Sequence, residues 1–232
     1  NYTTTSIGTI NSSYNSCVVD MNGDNKDDIV GVSANNLRVH FQGLGGAFTF
    51  SDFPISGASD MPSWSLAAGD YNRDGYNDLV LGSGSGLTFW QSNSTGTAYT
   101  NVNPSDYIFC QRTNFIDINN DGNLDIVTGN INGANIIYFG GKNFTFKETL
   151  LFGNKDTNTF SIALADFNKD GFMDIVTGNY LKPNTVFMNL DGKTFDAINL
   201  TERASRTYGV TVGDINADGW MDVVIANSDD FN

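Results

Sequence analysis

A nine-residue pattern recurs five times along this chain without a gap: DMNGDNKDD from Asp20, DYNRDGYND from Asp70, DINNDGNLD from Asp117, DFNKDGFMD from Asp166 and DINADGWMD from Asp214. The first aspartates lie 50, 47, 49 and 48 residues apart. A chain written in such a period folds as an array of one repeated supersecondary unit. A repeat of about 48 residues suits a propeller blade of four short strands.

The segments around the motif have strand character. Each motif is followed at once by an apolar run: Ile29-Val30, Leu79 to Leu81, Ile126-Val127, Ile175-Val176 and Val223 to Ile225. A second β-rich run comes next, as in Leu37 to Phe41, Leu87 to Trp90, Ile136 to Phe139 and Val186 to Met188. After a turn, a Phe-led segment follows, such as Phe144 to Phe146 or Phe195 to Leu200. The segment before the motif alternates. Phe160, Ile162 and Leu164 share one face and Ser161, Ala163 and Ala165 the other; Trp64, Leu66 and Ala68 oppose Ser65, Ala67 and Gly69. Period-two alternation with small residues on one face predicts an inner strand crowded near an axis. The unit therefore reads strand, Asp loop, strand, strand, strand. Residues 1–232 read as a single all-β array, a β-propeller of four-stranded blades with about five blades present.

The array reads as incomplete. Repeat five aligned on repeat four puts Asn232 opposite Asn184, just before a third strand, while Tyr2 to Ile10 fit a fourth strand. Joining the two ends would leave a ring about one strand short. A fragment of a longer propeller is favoured over a self-closed five-bladed ring, and a start at Asn1 instead of Met fits a processed or excised chain. An open array leaves blade edges exposed for self-association.

The loop has the chemistry of a hard-cation cage. Ca²⁺ takes several oxygen ligands, and D-x-N-x-D-G-x-x-D supplies them by alternation. Position 1 is Asp20, Asp70, Asp117, Asp166 and Asp214; position 3 is Asn22, Asn72, Asn119, Asn168 and Asn216; position 5 is Asp24, Asp74, Asp121, Asp170 and Asp218. Position 9 closes the set with Asp28, Asp78, Asp125, Asp174 and Asp222, and the position 7 backbone carbonyl belongs to Lys26, Tyr76, Asn123, Phe172 and Trp220. Position 6 must turn sharply, which Gly75, Gly122, Gly171 and Gly219 do without strain. Asn25 stands there in repeat one, which predicts a weaker site. Position 2 is apolar throughout (Met21, Tyr71, Ile118, Phe167, Ile215) and is expected to anchor the loop in the core. Asp-Asn-Gly runs also make ordinary surface turns, but five gap-free copies with the closing Asp always present weigh against that. An EF-hand needs Glu at position 12 and flanking helices; here position 12 is Gly31, Leu81, Thr128, Thr177 or Ile225, inside a strand.

The loop, the D-[IVL]-V that ends it and the strand before it resemble the FG-GAP or VCBS repeats of integrin α-subunit-type propellers. Secreted bacterial proteins and some fungal lectins carry similar repeats. The resemblance implies a propeller of typically seven blades with Ca²⁺ in loops joining the first two strands of each blade, about one ion per repeat and up to five here. It says little about activity, because such propellers serve as adhesion modules, as lectins and as non-catalytic parts of enzymes.

Charge fits the same reading. Fifteen of the 26 acidic residues occupy three positions of the repeat, and one divalent ion per repeat would bring the net charge from −14 to −4. That acidity argues against nucleic acid and anionic membranes as partners, and no apolar run is long enough to span a bilayer. Cys17 and Cys110 leave a disulfide and buried thiols both open. Sequons at Asn1, Asn11, Asn93, Asn143 and Asn199 fit an extracellular or cell-surface glycoprotein. With His40 as the only histidine and no nucleophile or phosphate-loop motif, the chain reads as no enzyme.

A partner surface is expected at the rim opposite the Asp loops. Tyr14, Trp64, Phe160 and Tyr208 stand six residues before their motifs, with Arg112 and Arg206 nearby. Such a ring of aromatics and arginines can hold a protein or a glycan; alternatively, the aromatics extend the apolar face of the inner strands. Trp90 and Tyr138, in third strands, read as blade-to-blade packing. The functions in contention are a calcium-stabilised adhesion or scaffold module, a lectin, and the propeller part of a polysaccharide-active enzyme.

Overall fold

The computed structural model describes residues 16–33, 36–54, 64–93, 95–102, 108–141, 148–200 and 202–228. Among them there is no α-helix, only a 3-10 turn at Leu44–Gly46. The chain divides into two compact units between residues 107 and 108.

The first unit holds two antiparallel sheets whose strands follow chain order. Blade one is β1 (Ser16–Val19), β2 (Asp28–Val32), β3 (Asn36–Gln42) and β4 (Phe48–Pro54); blade two is β5 (Ser65–Gly69), β6 (Asp78–Ser83), β7 (Gly86–Ser92) and β8 (Tyr99–Val102). The second unit repeats the scheme. Blade three is β9 (Phe109–Ile116), β10 (Asp125–Ile131), β11 (Asn135–Phe139) and β12 (Glu148–Phe152), and blade four is β13 (Thr159–Ala165), β14 (Asp174–Lys182), β15 (Thr185–Asn189) and β16 (Phe195–Asn199). Repeat five contributes β17 (Ser205–Gly213) and β18 (Asp222–Asn227), and β14 runs on past its blade to pair with β17 at Tyr180 and Arg206. The outer strands expected at Tyr2 to Ile10 and Phe144 to Phe146 lie outside the described residues.

In blades two to four the apolar run after the motif is the second strand, buried on both faces, as Ile126, Val127 and Thr128 show in β10, whereas in β18 Val224 is exposed. The alternation of the inner strand aims one face at the preceding blade. Leu66 of β5 joins Val30, Val39 and Leu79, and Ile162 of β13 joins Ile118, Val127 and Ile137. Each such buried side chain contributes about 1.5–3 kcal/mol. Trp90 and Tyr138 are packing residues, 4% and 2% exposed.

A polar seam supplements this core in the second unit. The Asn135 amide donates to the Thr159 hydroxyl (3.1 Å), which donates to Asn179 Oδ1 (2.8 Å). One repeat later the Asn184 amide donates to Thr207 (3.0 Å) and Thr207 to Asn227 Oδ1 (2.7 Å). Most buried polar groups in folded proteins are paired in this way. In the first unit Ser33 and Ser83 hold the places of Asn130 and Asn179 and turn their hydroxyls onto their own hairpins, at the carbonyls of Asn36 (3.1 Å) and Gly86 (3.2 Å). Cys110 stands where Thr159 and Thr207 stand, its thiol 3.2 Å from the Arg112 carbonyl. Both cysteines are free thiols, and burial pushes that of Cys17 up to about 12.

Candidate metal centre

The five Asp loops share one hydrogen-bond pattern. At position 1 one carboxylate oxygen accepts the N–H of position 5 (Asp117 from Asp121, 3.0 Å) and the other that of position 6 (Asp117 from Gly122, 2.7 Å). The position 3 amide oxygen accepts the position 5 N–H as well, from 2.9 to 3.0 Å in all five copies. The position 5 carboxylate accepts the N–H of position 7, at 2.7 to 3.0 Å. Consecutive peptide donors thus hold the side-chain oxygens of one loop in a common bend.

Two left-handed residues make the bend. Position 6 has φ of 92°, 83°, 91° and 84° at Gly75, Gly122, Gly171 and Gly219, and 62° at Asn25. Position 4 is left-handed too: Gly23 (76°), Arg73 (61°), Asn120 (56°), Lys169 (61°) and Ala217 (60°). The sequence reading missed that constraint, although Gly23 and Asn120 were its trace. Bulky residues adopt this conformation only when the surroundings impose it.

Position 9 does two jobs. In four copies one oxygen takes the N–H of position 2 and the other takes an N–H at the far end of the third strand. For Asp125 the donors are Ile118 (2.9 Å) and Gly140 (2.7 Å); for Asp174 they are Phe167 (2.9 Å) and Asn189 (2.7 Å). Asp28, Asp78, Asp125 and Asp174 are fully buried. Burial pushes the Asp78 carboxyl up to about 7 and that of Asp125 up to about 6, with nearby loop carboxylates adding to the rise. Position 2 anchors the loops as expected where a following blade covers it. Met21 and Ile118 are fully buried, whereas Ile215, in the last loop, is 66% exposed.

The following blade also clasps the loop before it. Gly192, in the β15–β16 hairpin, lies so close to loop three that a Cβ there would stand 2.5 Å from Asn119 Cα. Asn189 donates from its amide to the Ile118 carbonyl (2.9 Å) and accepts from Gly192. In the first unit Gly96 sits as closely on the Met21 carbonyl, and the Asn77 amide donates to the Asp20 carbonyl (2.7 Å).

Among the described residues no three acidic, histidine or cysteine side chains gather into a ready cage. The donor set of each loop is mixed: carboxylates at positions 1 and 5, an amide at position 3 and peptide oxygens, all hard oxygens with no sulfur or imidazole. It fits a hard divalent cation by chemistry. Loop one differs, since the Lys26 ammonium sits 2.7 Å from Asp24 and supplies a charge of its own.

The rim residues are only partly brought together. Phe160 and Tyr208 meet at 5.3 Å between ring centroids, and both pack on Tyr180, at 5.3 and 6.0 Å. The Arg206 guanidinium stands 5.8 Å from the Tyr180 centroid. Tyr180 was not foreseen, because it lies on the extension of β14 and not at the aromatic position of the repeat. Trp64 opens blade two and Arg112 lies in β9, both half-buried. Tyr14 lies outside the described residues.

Four-stranded antiparallel blades, each with an Asp loop between its first two strands, define a propeller-type repeat protein. The chain belongs to the FG-GAP-like repeat family, whose model matches residues 20–81, 70–128, 117–177 and 170–225. No curated protein matches it. Among solved structures it is similar to an Agrocybe aegerita lectin described for recognition of non-reducing terminal N-acetylglucosamine, with 17% identity, a TM-score of 0.61 and coverage of 92% of this chain and 60% of that one. It is also similar to BBS1N in a complex with ARL6DN, with 13% identity, a TM-score of 0.56 and coverage of 86% and 57%. The chain thus spans well under two thirds of either neighbour, and at these identities the likeness concerns the fold alone.

Proposed function

We propose that the protein is a calcium-stabilised binding or adhesion module working outside the cell or at its surface. The observation that carries this reading is the fivefold recurrence of one oxygen-lined bend with the same peptide donors behind it. When bound, Ca²⁺ would supply positive charge to carboxylates that otherwise repel one another. Asp, Asn and Asp at positions 1, 3 and 5, with the position 7 carbonyl, would hold it. Position 9, which the sequence placed among the ligands, accepts peptide N–H groups at both carboxylate oxygens in four copies and would there brace the loop against the third strand. Extracellular calcium suits sites of modest affinity, and the sequons agree with that location. The aromatic cluster of Phe160, Tyr180 and Tyr208, with Arg206 beside it, offers a contact surface for a protein or glycan at the end of the blades away from the loops.

Calorimetric titration of the EDTA-stripped protein with CaCl2 tests the reading. The expected result is saturable uptake at several sites, with dissociation constants of about 10⁻⁴–10⁻³ M, the range of extracellular modules, and weaker uptake of MgCl2. Heats no larger than dilution would overturn it.

A further inference from the structure

Loop one differs from the other four at position 4, where it alone carries glycine. Gly23 is required there twice over. Its φ is 76°, and a Cβ would stand 3.2 Å from Tyr76 Cε1, in the loop of blade two. The packing of loop two on loop one thus fixes an Asn22-Gly23 pair. The sequence holds a second such pair, Asn132-Gly133, in the β10–β11 turn. An asparagine before glycine is the most open to attack by the next peptide nitrogen, because glycine has no Cβ to shield that nitrogen.

The hydrogen bonds of loop one arrange the groups that such an attack needs. The Gly23 N–H donates to Asp20 Oδ1 at 2.7 Å, so a carboxylate stands where the proton of the nitrogen must go. The Asp24 N–H donates to Asn22 Oδ1 at 3.0 Å, on the amide oxygen that gains charge as its carbon is attacked. The Asn77 amide donates to the Asp20 carbonyl at 2.7 Å and holds that residue in place. A base and an oxyanion donor fixed by the fold are the elements of general-base and electrostatic catalysis. In loops two to five the position 1 carboxylate takes the N–H groups of positions 5 and 6. Among the described residues, only in loop one does it also take that of position 4. At Asn132-Gly133 the Asn132 N–H donates instead to Asn158 Oδ1 (2.9 Å), an amide and not a base. Gly23 is exposed and Asn22 half-buried, so water reaches the pair in loop one.

We propose that Asn22 is a site of self-modification, deamidated by its own loop to aspartate and isoaspartate. The Gly23 nitrogen bonds to Asn22 Cγ and gives its proton to Asp20. The C–N bond of the side-chain amide breaks, and its nitrogen leaves as ammonia with that proton. A cyclic succinimide remains. Water opens it at Cγ to leave aspartate, or at the main-chain carbonyl to leave isoaspartate, and no oxidant or reductant is needed. Either product adds one negative charge, taking the net charge from −14 to −15, and sets a third carboxylate in the bend of Asp20 and Asp24. Isoaspartate also lengthens the main chain inside the bend and puts its peptide donors out of register. The site goes beyond the reading of the chain as a binding module and does not depend on it.

The test uses the full chain, freed of divalent ions with EDTA and kept warm at neutral pH. Peptide mapping by mass spectrometry follows the amide-to-acid mass gain at each asparagine, and an isoaspartyl methyltransferase assay counts isoaspartate. The expected result is accumulation at Asn22 several-fold faster than at Asn132. In urea, where the loop is lost, the two rates should converge. Asp20→Asn keeps an acceptor for the Gly23 N–H but removes the base. It should slow the reaction at Asn22 several-fold and leave Asn132 unchanged. The comparison of native and urea rates needs no variant, and so covers the case in which Asp20→Asn does not fold. An Asn22 that stays intact in the folded chain, equal native rates at Asn22 and Asn132, or an Asp20→Asn rate like that of wild type overturns the proposal. CaCl2 should slow the reaction by engaging Asp20 and the Asn22 oxygen. A rate indifferent to CaCl2 counts against calcium in loop one, separately from the modification.

Discussion

Chelation should lower the melting temperature by on the order of 15 °C. A ligand that binds only the folded chain stabilises it by mass action, roughly 1.4–2.7 kcal/mol per site at ten- to hundredfold saturation. Several such sites act in parallel, and in a domain of this size 1 kcal/mol moves the melting temperature by roughly 2–4 °C. The loops give the mechanism. Each of the five gathers the carboxylates of positions 1 and 5 into one short bend, and among the described residues only loop one carries an ammonium against its acids, Lys26 on Asp24. Without a cation the carboxylates repel one another, and the bend that holds positions 2 and 9 in the core is strained with them. Differential scanning calorimetry in millimolar CaCl2 and after EDTA checks this. A melt that does not move, in protein shown to have lost its metal, sinks it.

Asp125→Ala should cost about 3–5 kcal/mol whether calcium is present or not. The side chain accepts from Ile118 and Gly140, and its removal strands two peptide donors, each worth about 1–3 kcal/mol when left unpaired away from water. The Ile118 donor is held in a closed site: Ile118 is 0% exposed, within the apolar cluster shared by blades three and four. Asp121→Asn is the discriminating partner. An asparagine there can still accept the Asn123 N–H, so the metal-free chain should barely notice. The calcium-dependent part of the stability should shrink by about one site's worth, 1.4–2.7 kcal/mol on the same mass-action scale. Urea midpoints with and without calcium separate the two. If Asp125→Ala proves mild, or harmful only in calcium, position 9 is a ligand and not a brace.

The strands and loops were legible because their signals are local. The apolar run after each motif, the alternation before it and the glycine at position 6 each concern neighbours in sequence, and all fall where the structure has them. What stayed hidden is non-local. That Asp125 binds Gly140, or that Asn189 reaches the Ile118 carbonyl, depends on strands folding back across tens of residues. The Asn–Thr seam joins side chains of successive blades, so the recurrence of Asn130 and Asn179 one period apart carried no visible purpose. The left-handed turn at position 4 is a middle case. Arg73, Lys169 and Ala217 mask it, because the loop's hydrogen bonds impose a backbone their own preferences resist.

The central claim is that the repeated bends are cation sites. Anomalous diffraction from crystals grown in CaCl2 tests it most directly. We expect one calcium peak within each of the loops beginning at Asp70, Asp117, Asp166 and Asp214, with a weaker one at Asp20. Loops free of anomalous density at saturating calcium, with their carboxylates turned to solvent, would contradict it.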